Sequence, residues 1–173
     1  MEIVALDNRE RVRGAIRAHG VAWQEAYAGL VPDDVLDSVT TEPTDDDIDQ
    51  WLDRLPDEQA DGAVAYGVVA DGAVRGYVFV RWTETKSFVR PDEAGLKEIY
   101  VHPDWWGEGL GTALLDAALA DVPDHITGIA LEVFAENDLG RHFYESRGFE
   151  ADDGDRREIA GESYEIAIYR RQW

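Results

Sequence analysis

The chain has 173 residues, 45% of them hydrophobic, enough for one domain with a real core. It carries 37 acidic residues against 16 basic, a net charge of −21, which speaks against nucleic-acid binding because a phosphate backbone needs a basic face. It has no cysteine, which excludes disulfides, thiolate metal sites and a cysteine nucleophile. No apolar run reaches about 18 residues, so no membrane span is expected.

The acid is spread along the chain, and Lys86 and Lys97 are the only lysines. Self-repulsion on such a surface is tolerable when salt screens it; at about 1 M salt the Debye length is roughly 3 Å. This implies a halophilic protein from a salt-accumulating, haloarchaeal cytoplasm; an acidic mesophilic protein is the alternative. The start, Met1 to Asp7, lacks the basic flank and long apolar core of a signal peptide, so a cytoplasmic enzyme is expected.

In chain order, residues 2–6 read as a strand. Val12, Ala15 and Ile16 recur at helical spacing over 9–22, with Asn8 as N-cap. Gly29 then stops the segment 21–32, and Pro32 opens a short helix. Residues 40–47 are polar and acidic; Ile48, Trp51, Leu52 and Leu55 make 48–55 a helix, and 56–62 reads as a loop. The β-rich runs 63–70 and 73–82 flank Asp71-Gly72, a hairpin signal. A polar loop follows over 83–94, then a strand over 95–101. Leu110, Leu114, Leu115, Ala118 and Leu119 form one apolar stripe on a helix ended by Pro123. A strand over 127–134, a helix over 138–147 ended by Gly148, and closing strands over 149–152 and 163–169 complete the chain. With hairpins in the middle and no regular βαβ series, an α+β layer fold is expected rather than a doubly wound sheet.

The most informative stretch joins the 95–101 strand to the next helix: Val101-His102-Pro103-Asp104-Trp105-Trp106-Gly107-Glu108-Gly109-Leu110-Gly111-Thr112. Three glycines let backbone approach a ligand closely, and the helix start offers free N–H groups at a positive dipole end. That is a seat for an anion such as a pyrophosphate. A Rossmann fingerprint does not fit, because Thr112 stands out of pattern and the loop follows a hairpin. A Walker A loop would need Gly-Lys-Ser/Thr, which is absent. A glycine-rich turn with no ligand is the plain alternative.

Trp106 to Gly111 resembles motif A of the GCN5-related N-acetyltransferases (GNAT), Gln/Arg-x-x-Gly-x-Gly/Ala, with Trp106 where the family usually has Gln or Arg. Leu131 to Phe149 resembles the family's motif B: a strand, Asn137, Gly140 three later, Phe143-Tyr144, then Gly148-Phe149. Asn137, Gly140 and Tyr144 share one helical face; Leu139 and Phe143 share another and are expected in the core. The resemblance covers about residues 63–170 and implies an acyl-CoA N-acyltransferase fold. That fold has a mostly antiparallel sheet flanked by helices, whose fourth and fifth strands splay to admit acetyl-CoA.

Carried over, Ile99, Tyr100 and Val101 offer backbone to the pantetheine arm. Trp106, Gly107, Glu108, Gly109, Leu110, Gly111 and Thr112 hold the pyrophosphate, Asn137 bonds the pantetheine, and Arg147 either meets the adenosine phosphate or is an exposed helix-end arginine. An aliphatic ammonium, with a pKa of roughly 10, must lose a proton before it attacks a thioester. Glu98 is the leading base; two residues before Tyr100, it faces the same side, and the family often places a base there. Tyr144 is the candidate to protonate or hydrogen-bond the departing sulfur, and it also counts among the cofactor contacts.

His102 is the runner-up base, while His19 and His142 read as surface or packing residues. Trp23, Tyr27 and Leu30 have the helical spacing of core residues, while the resemblance implies that they begin the region shaping the acceptor pocket, with Glu25 nearby. No His/Asp/Glu spacing suggests a metal, and no Gly-x-Ser-x-Gly elbow supports a serine triad.

The whole reads as one domain, 1–173, with acceptor-side helices over about 8–55 and a CoA-binding core over about 63–170. The resemblance implies an N-acetyltransferase moving acetyl from acetyl-CoA to a primary amine, on a small molecule or a protein, by direct attack in a ternary complex. A silent CoA-binding sensor, another acyl-CoA donor, and an NAD or ATP module are the alternatives. Family members are often dimers, so a homodimer is an open option.

Overall fold

A computed structural model describes residues 1–83 and 85–173. The polar loop expected over 83–94 takes in Glu84, which lies outside the described residues. The elements are β1 (Glu2–Ala5), α1 (Arg9–Tyr27), α2 (Asp33–Asp37), α3 (Asp45–Ala60), β2 (Ala63–Ala70), β3 (Ala73–Arg81), β4 (Glu93–Val101), α4 (Leu110–Ala120), β5 (Gly128–Phe134), α5 (Asp138–Glu145), β6 (Glu150–Ala151), β7 (Asp155–Ile159) and β8 (Glu162–Gln172). A short 3-10 turn, Pro103–Trp105, lies between β4 and α4. The strands form an eight-stranded sheet in the order β1-β2-β3-β4-β5-β8-β6, with β7 also on β8. Every described pairing is antiparallel except β4 with β5.

Two cores cover the two faces of the sheet. Val12, Ala15 and Ile16 of α1 and Ile48 and Leu55 of α3 pack on Ala65, Tyr77 and Phe79. Leu110, Leu114, Leu115 and Ala118 of α4 pack on Val68, Val78, Val80, Ile129 and Leu131. Alternation along β3 feeds both: Tyr77 and Phe79 face α1 and α3, while Val78 and Val80 face α4.

Four elements differ from the sequence reading. α1 does not stop near residue 22 but runs to Tyr27. α3 starts at Asp45 because Thr44 and Asp47 form a capping box, and it runs on through Pro56. That ring is exposed and removes only one N–H, while Ile48 and Leu55 anchor the helix to the sheet. β4 begins two residues early, at Glu93. β7 was not foreseen; it forms a hairpin with β8 through Ala160 and Gly161, both at positive φ.

The β4–β5 ladder holds only over Glu93–Gly95 against Gly128–Ala130. Its base is pinned by Glu93, 1% exposed. That carboxylate accepts from the Arg90 backbone N–H at 2.9 Å, from Gln172 Nε2 at 3.1 Å and from Arg170. A buried carboxylate so surrounded is satisfied, and removing a partner would expose its desolvation cost. Beyond Gly95 the two strands part.

Candidate active site

The parting strands open a cleft of about 310 Å³. One wall is β4 from Leu96 to Val101 with the glycine loop beyond it; the other is Glu132 and Val133 of β5 with α5, and Ala22, Ala26 and Tyr27 of α1 close one side. On its other edge β4 carries a bulge: Val80 pairs Leu96 and Phe79 pairs Glu98, so Lys97 has no cross-strand partner.

The glycine loop is fixed from behind. Trp106 Nε1 donates to Val101 O at 2.7 Å, tying the loop to the end of β4. Gly107 (φ 83°) and Gly109 (φ 84°) sit in the left-handed region, which glycine adopts without strain. Nothing lies within 4 Å of where a Cβ would stand on either. Gly109 caps α4 without a side chain, and the first intrahelical bond is Ala113 N to Gly109 O, 3.0 Å. The N–H groups of Leu110, Gly111 and Thr112 are therefore left at the helix's positive end.

Gly111 lets α5 approach, since a Cβ there would lie 2.8 Å from the Phe143 ring. Arg147 Nε donates to Thr112 Oγ1 at 2.9 Å, and its guanidinium lies 3.7 Å over the Phe143 ring. Thr112 Oγ1 only accepts from Arg147, so its O–H is left free to donate. Glu108 is exposed and does not line the cleft.

On the facing wall, Asn137 caps α5 through Oδ1, accepting from Gly140 N at 2.9 Å. Burial pushes the Tyr27 and Tyr100 phenols up, so both stay protonated. Tyr144 lines the cleft with its ring edge-on to Phe143 and Phe149. Burial, with Tyr27 nearby, pushes its phenol well above the ordinary tyrosine value, so it stays protonated. Leu139 and Phe143 are not core residues: Leu139 is 52% exposed, and both line the cleft. α5 stands at the cleft mouth, so the apolar face assigned to the core meets the cavity instead.

Glu98 lines the cleft and accepts from Tyr77 OH at 2.7 Å. Behind it, Tyr77 OH lies 2.6 Å from His19 Nδ1. His19, expected at the surface or in packing, packs tilted at 37° beside Tyr100 and is also the far end of this chain. Burial lowers its pKa, with the Glu98 charge opposing, so the ring is neutral near pH 7. Tyr77 was missed altogether. The available signal was its place two residues before Phe79, the cross-strand partner of Glu98.

His102 lies outside the cleft. Its Nδ1 accepts from Asp104 N at 3.3 Å, capping the 3-10 turn. His142 is exposed. Trp23 packs edge-on against Tyr27, which meets Phe134 in the same way; Leu30 and Glu25 do not reach the cleft. Deeper in, Glu132 is held by Lys86 and Arg157; burial and the Arg157 charge bring Lys86 down to about 8. Among the described residues no three His, Asp or Glu side chains gather as a metal would require, and no helix is long and apolar enough to cross a membrane.

Comparison with known proteins agrees with this geometry. The profile of the acetyltransferase (GNAT) family matches residues 22–149. An aminoglycoside N(6')-acetyltransferase type 1 from Stenotrophomonas maltophilia is 34% identical over 113 residues, 63% of this chain and 65% of that enzyme. The match therefore spans about two thirds of that relative's length, falling just short of it. Among solved structures, a PaiA N-acetyltransferase from Thermoplasma acidophilum in complex with coenzyme A superposes with a TM-score of 0.73 at 19% identity, covering all of both chains. A ribosomal-protein-alanine N-acetyltransferase from Brucella melitensis superposes at 0.74 and 15%, again over the whole of both. At such identities these structures speak for the fold. The fold, the splayed strands with their glycine loop, and the profile match over most of the chain place this protein in the GNAT acetyltransferase family.

Proposed function

We propose that the protein is an acetyl-CoA-dependent N-acetyltransferase acting on a primary amine in a ternary complex. The observation that carries this reading is the placement of Glu98 and Tyr144 in one cleft with the glycine loop. The fit to CoA rests on that loop: open backbone at Gly107 and Gly109, a helix start with free N–H groups, and Arg147 beside it. This is local positive potential in a chain of net charge −21.

In this reading Trp106, Gly107, Gly109, Leu110, Gly111 and Thr112 hold the pyrophosphate, mainly through backbone. Glu108 contributes backbone alone. Arg147 faces a phosphate, and Ile99, Tyr100 and Val101 present the free edge of β4 to the pantetheine arm. Asn137 acts chiefly by fixing α5 and lines the cleft beside it. Bound acetyl-CoA supplies an electrophilic thioester. Glu98 takes the proton of the incoming ammonium, directly or through water. Backbone N–H near Tyr100 or Val101 stabilises charge on the reacting carbonyl oxygen. Tyr144 keeps its proton at neutral pH and gives it to the departing sulfur. The domain works as one unit, with residues 8–55 shaping the acceptor side and 63–170 the CoA side.

The relatives' acceptors, an aminoglycoside and a ribosomal-protein alanine, frame the search for this one. The test is release of free thiol from acetyl-CoA with spermidine, kanamycin A and an alanine-initiated peptide, and mass spectrometry of each amine. Acetylation of at least one amine, faster with acetyl-CoA than with succinyl-CoA, is expected. Tight CoA binding with no acetylated amine would make the protein a sensor instead.

A further inference from the structure

We infer that Glu98, Tyr77 and His19 form a proton relay that carries the amine's proton out of the acetyl-transfer cleft to a second cavity between α1 and α3. The inference rests on Glu98 being the base. Glu98 opens on the cleft. Tyr77, 1% exposed, is sealed in the core against Trp51. His19 lines the second cavity, about 190 Å³, with Thr40, Asp47 and Gln50 at its polar rim. Two open ends joined through one sealed polar group is the arrangement a proton conductor needs. A phenol and an imidazole buried merely for packing would not have to join two cavities.

The hydrogen-bond count fixes the starting state. Tyr77 has one proton, and it goes to ionised Glu98 at 2.7 Å. The 2.6 Å contact with His19 must then be donated by His19 Nδ1–H, leaving Nε2 with its lone pair. After Glu98 takes a proton from the ammonium, His19 Nε2 takes up a proton from water in the second cavity and Nδ1 gives its own back to that water, so the neutral ring becomes the Nε2–H tautomer and the Tyr77 hydroxyl turns to the bare Nδ1. Glu98 then passes its proton to the Tyr77 oxygen, Tyr77 passes its own to Nδ1, and Nε2–H is released to water in the second cavity. One proton enters at Glu98, one leaves at His19, and the starting state returns. Tyr77 never becomes a phenolate, since burial and the Glu98 charge hold its phenol well above the ordinary value. His19 is faced by Glu98 and Tyr100 from β4, Tyr77 from β3 and Asp47 from α3, with the Arg54 charge near Tyr77.

The test compares wild type with His19→Asn, His19→Ala, Tyr77→Phe and Glu98→Gln, each checked for an unchanged folded spectrum. His19→Asn keeps a donor to Tyr77 but cannot exchange tautomers. With the panel amine turned over fastest, His19→Asn and Tyr77→Phe should lose about a hundredfold in kcat, the low end of the range for a positioned acid or base. KM for acetyl-CoA should not change, and imidazole should restore His19→Ala. Nitrogen-15 NMR of the free protein, which has only four histidines, should show neutral His19 as the Nδ1–H tautomer. Wild-type turnover by His19→Asn at every pH, or an Nε2–H tautomer while Glu98 is ionised, would overturn the relay and leave Glu98 as base. Wild-type turnover by Glu98→Gln would overturn the base assignment itself.

Discussion

Tyr144→Phe removes one oxygen from a ring that otherwise stays packed against Phe143 and Phe149. We expect kcat to fall by about a hundredfold, the low end of general-acid effects, with acetyl-CoA affinity nearly intact. An unchanged kcat would remove Tyr144 from the chemistry. His19 carries a second prediction. Its folded pKa is lowered, so just below an unfolded value of about 6.5 the unfolded chain binds the extra proton. Its contribution to stability is present at neutral pH and lost as pH falls through that range. Melting curves between about pH 5 and 7 should show a steeper loss for wild type than for His19→Asn. The position of Glu98 and Tyr144 in the cleft was legible because each sits at a fixed offset in a local motif. His19 and Tyr77 were not, because the contact joins residues 58 apart, and no local spacing encodes it. Leu139 misled because apolar periodicity marks a buried face without saying whether protein or ligand covers it.

At the scale of elements, α3 depends on its capping box. Thr44 Oγ1 accepts from Asp47 N at 3.2 Å, and Asp47 Oδ2 accepts from Thr44 N at 2.8 Å. Thr44→Ala should cost about 1 kcal/mol, about 2–4 °C of Tm for a chain this long; no change in calorimetry would mean the helix is held by its core contacts alone. Gly20 is the opposite case. Alanine favours a helix interior by about 1 kcal/mol, yet a Cβ there would lie 2.0 Å from Thr40 O. Gly20→Ala should therefore be destabilising by about 1–3 kcal/mol, as overpacked sites are, and a raised Tm would contradict the close packing of α1 on that segment. The Asp71-Gly72 hairpin, the 128–134 strand and the helix from Leu110 were legible because turn chemistry and periodicity agree there. The run through Pro56 was hidden because tertiary anchoring by Ile48 and Leu55 outweighs one lost hydrogen bond. β7 was hidden because its charged residues show no apolar alternation and are mostly exposed.

For the whole molecule, charge and cleft pull in different directions. A net charge of −21 repels itself and repels a polyanionic co-substrate. Raising KCl from about 0.1 to about 1 M shortens the Debye length from roughly 10 to 3 Å. Both Tm and acetyl-CoA affinity should therefore rise with KCl; full stability in dilute buffer with no salt response would oppose a halophilic origin. Local order answers the repulsion at the site itself, where Arg147 and the α4 start lie next to the strands that Glu93 ties together. The splay of β4 from β5 is the property on which the functional reading turns, and acetyl-CoA binding tests it most directly. In about 2 M KCl, ligand at about a hundred times its Kd should add roughly 2.7 kcal/mol, a rise of several degrees in Tm. CoA should act likewise, and NAD and ATP should not. No shift with acetyl-CoA, or an equal shift with NAD or ATP, would contradict a CoA cleft between β4 and β5.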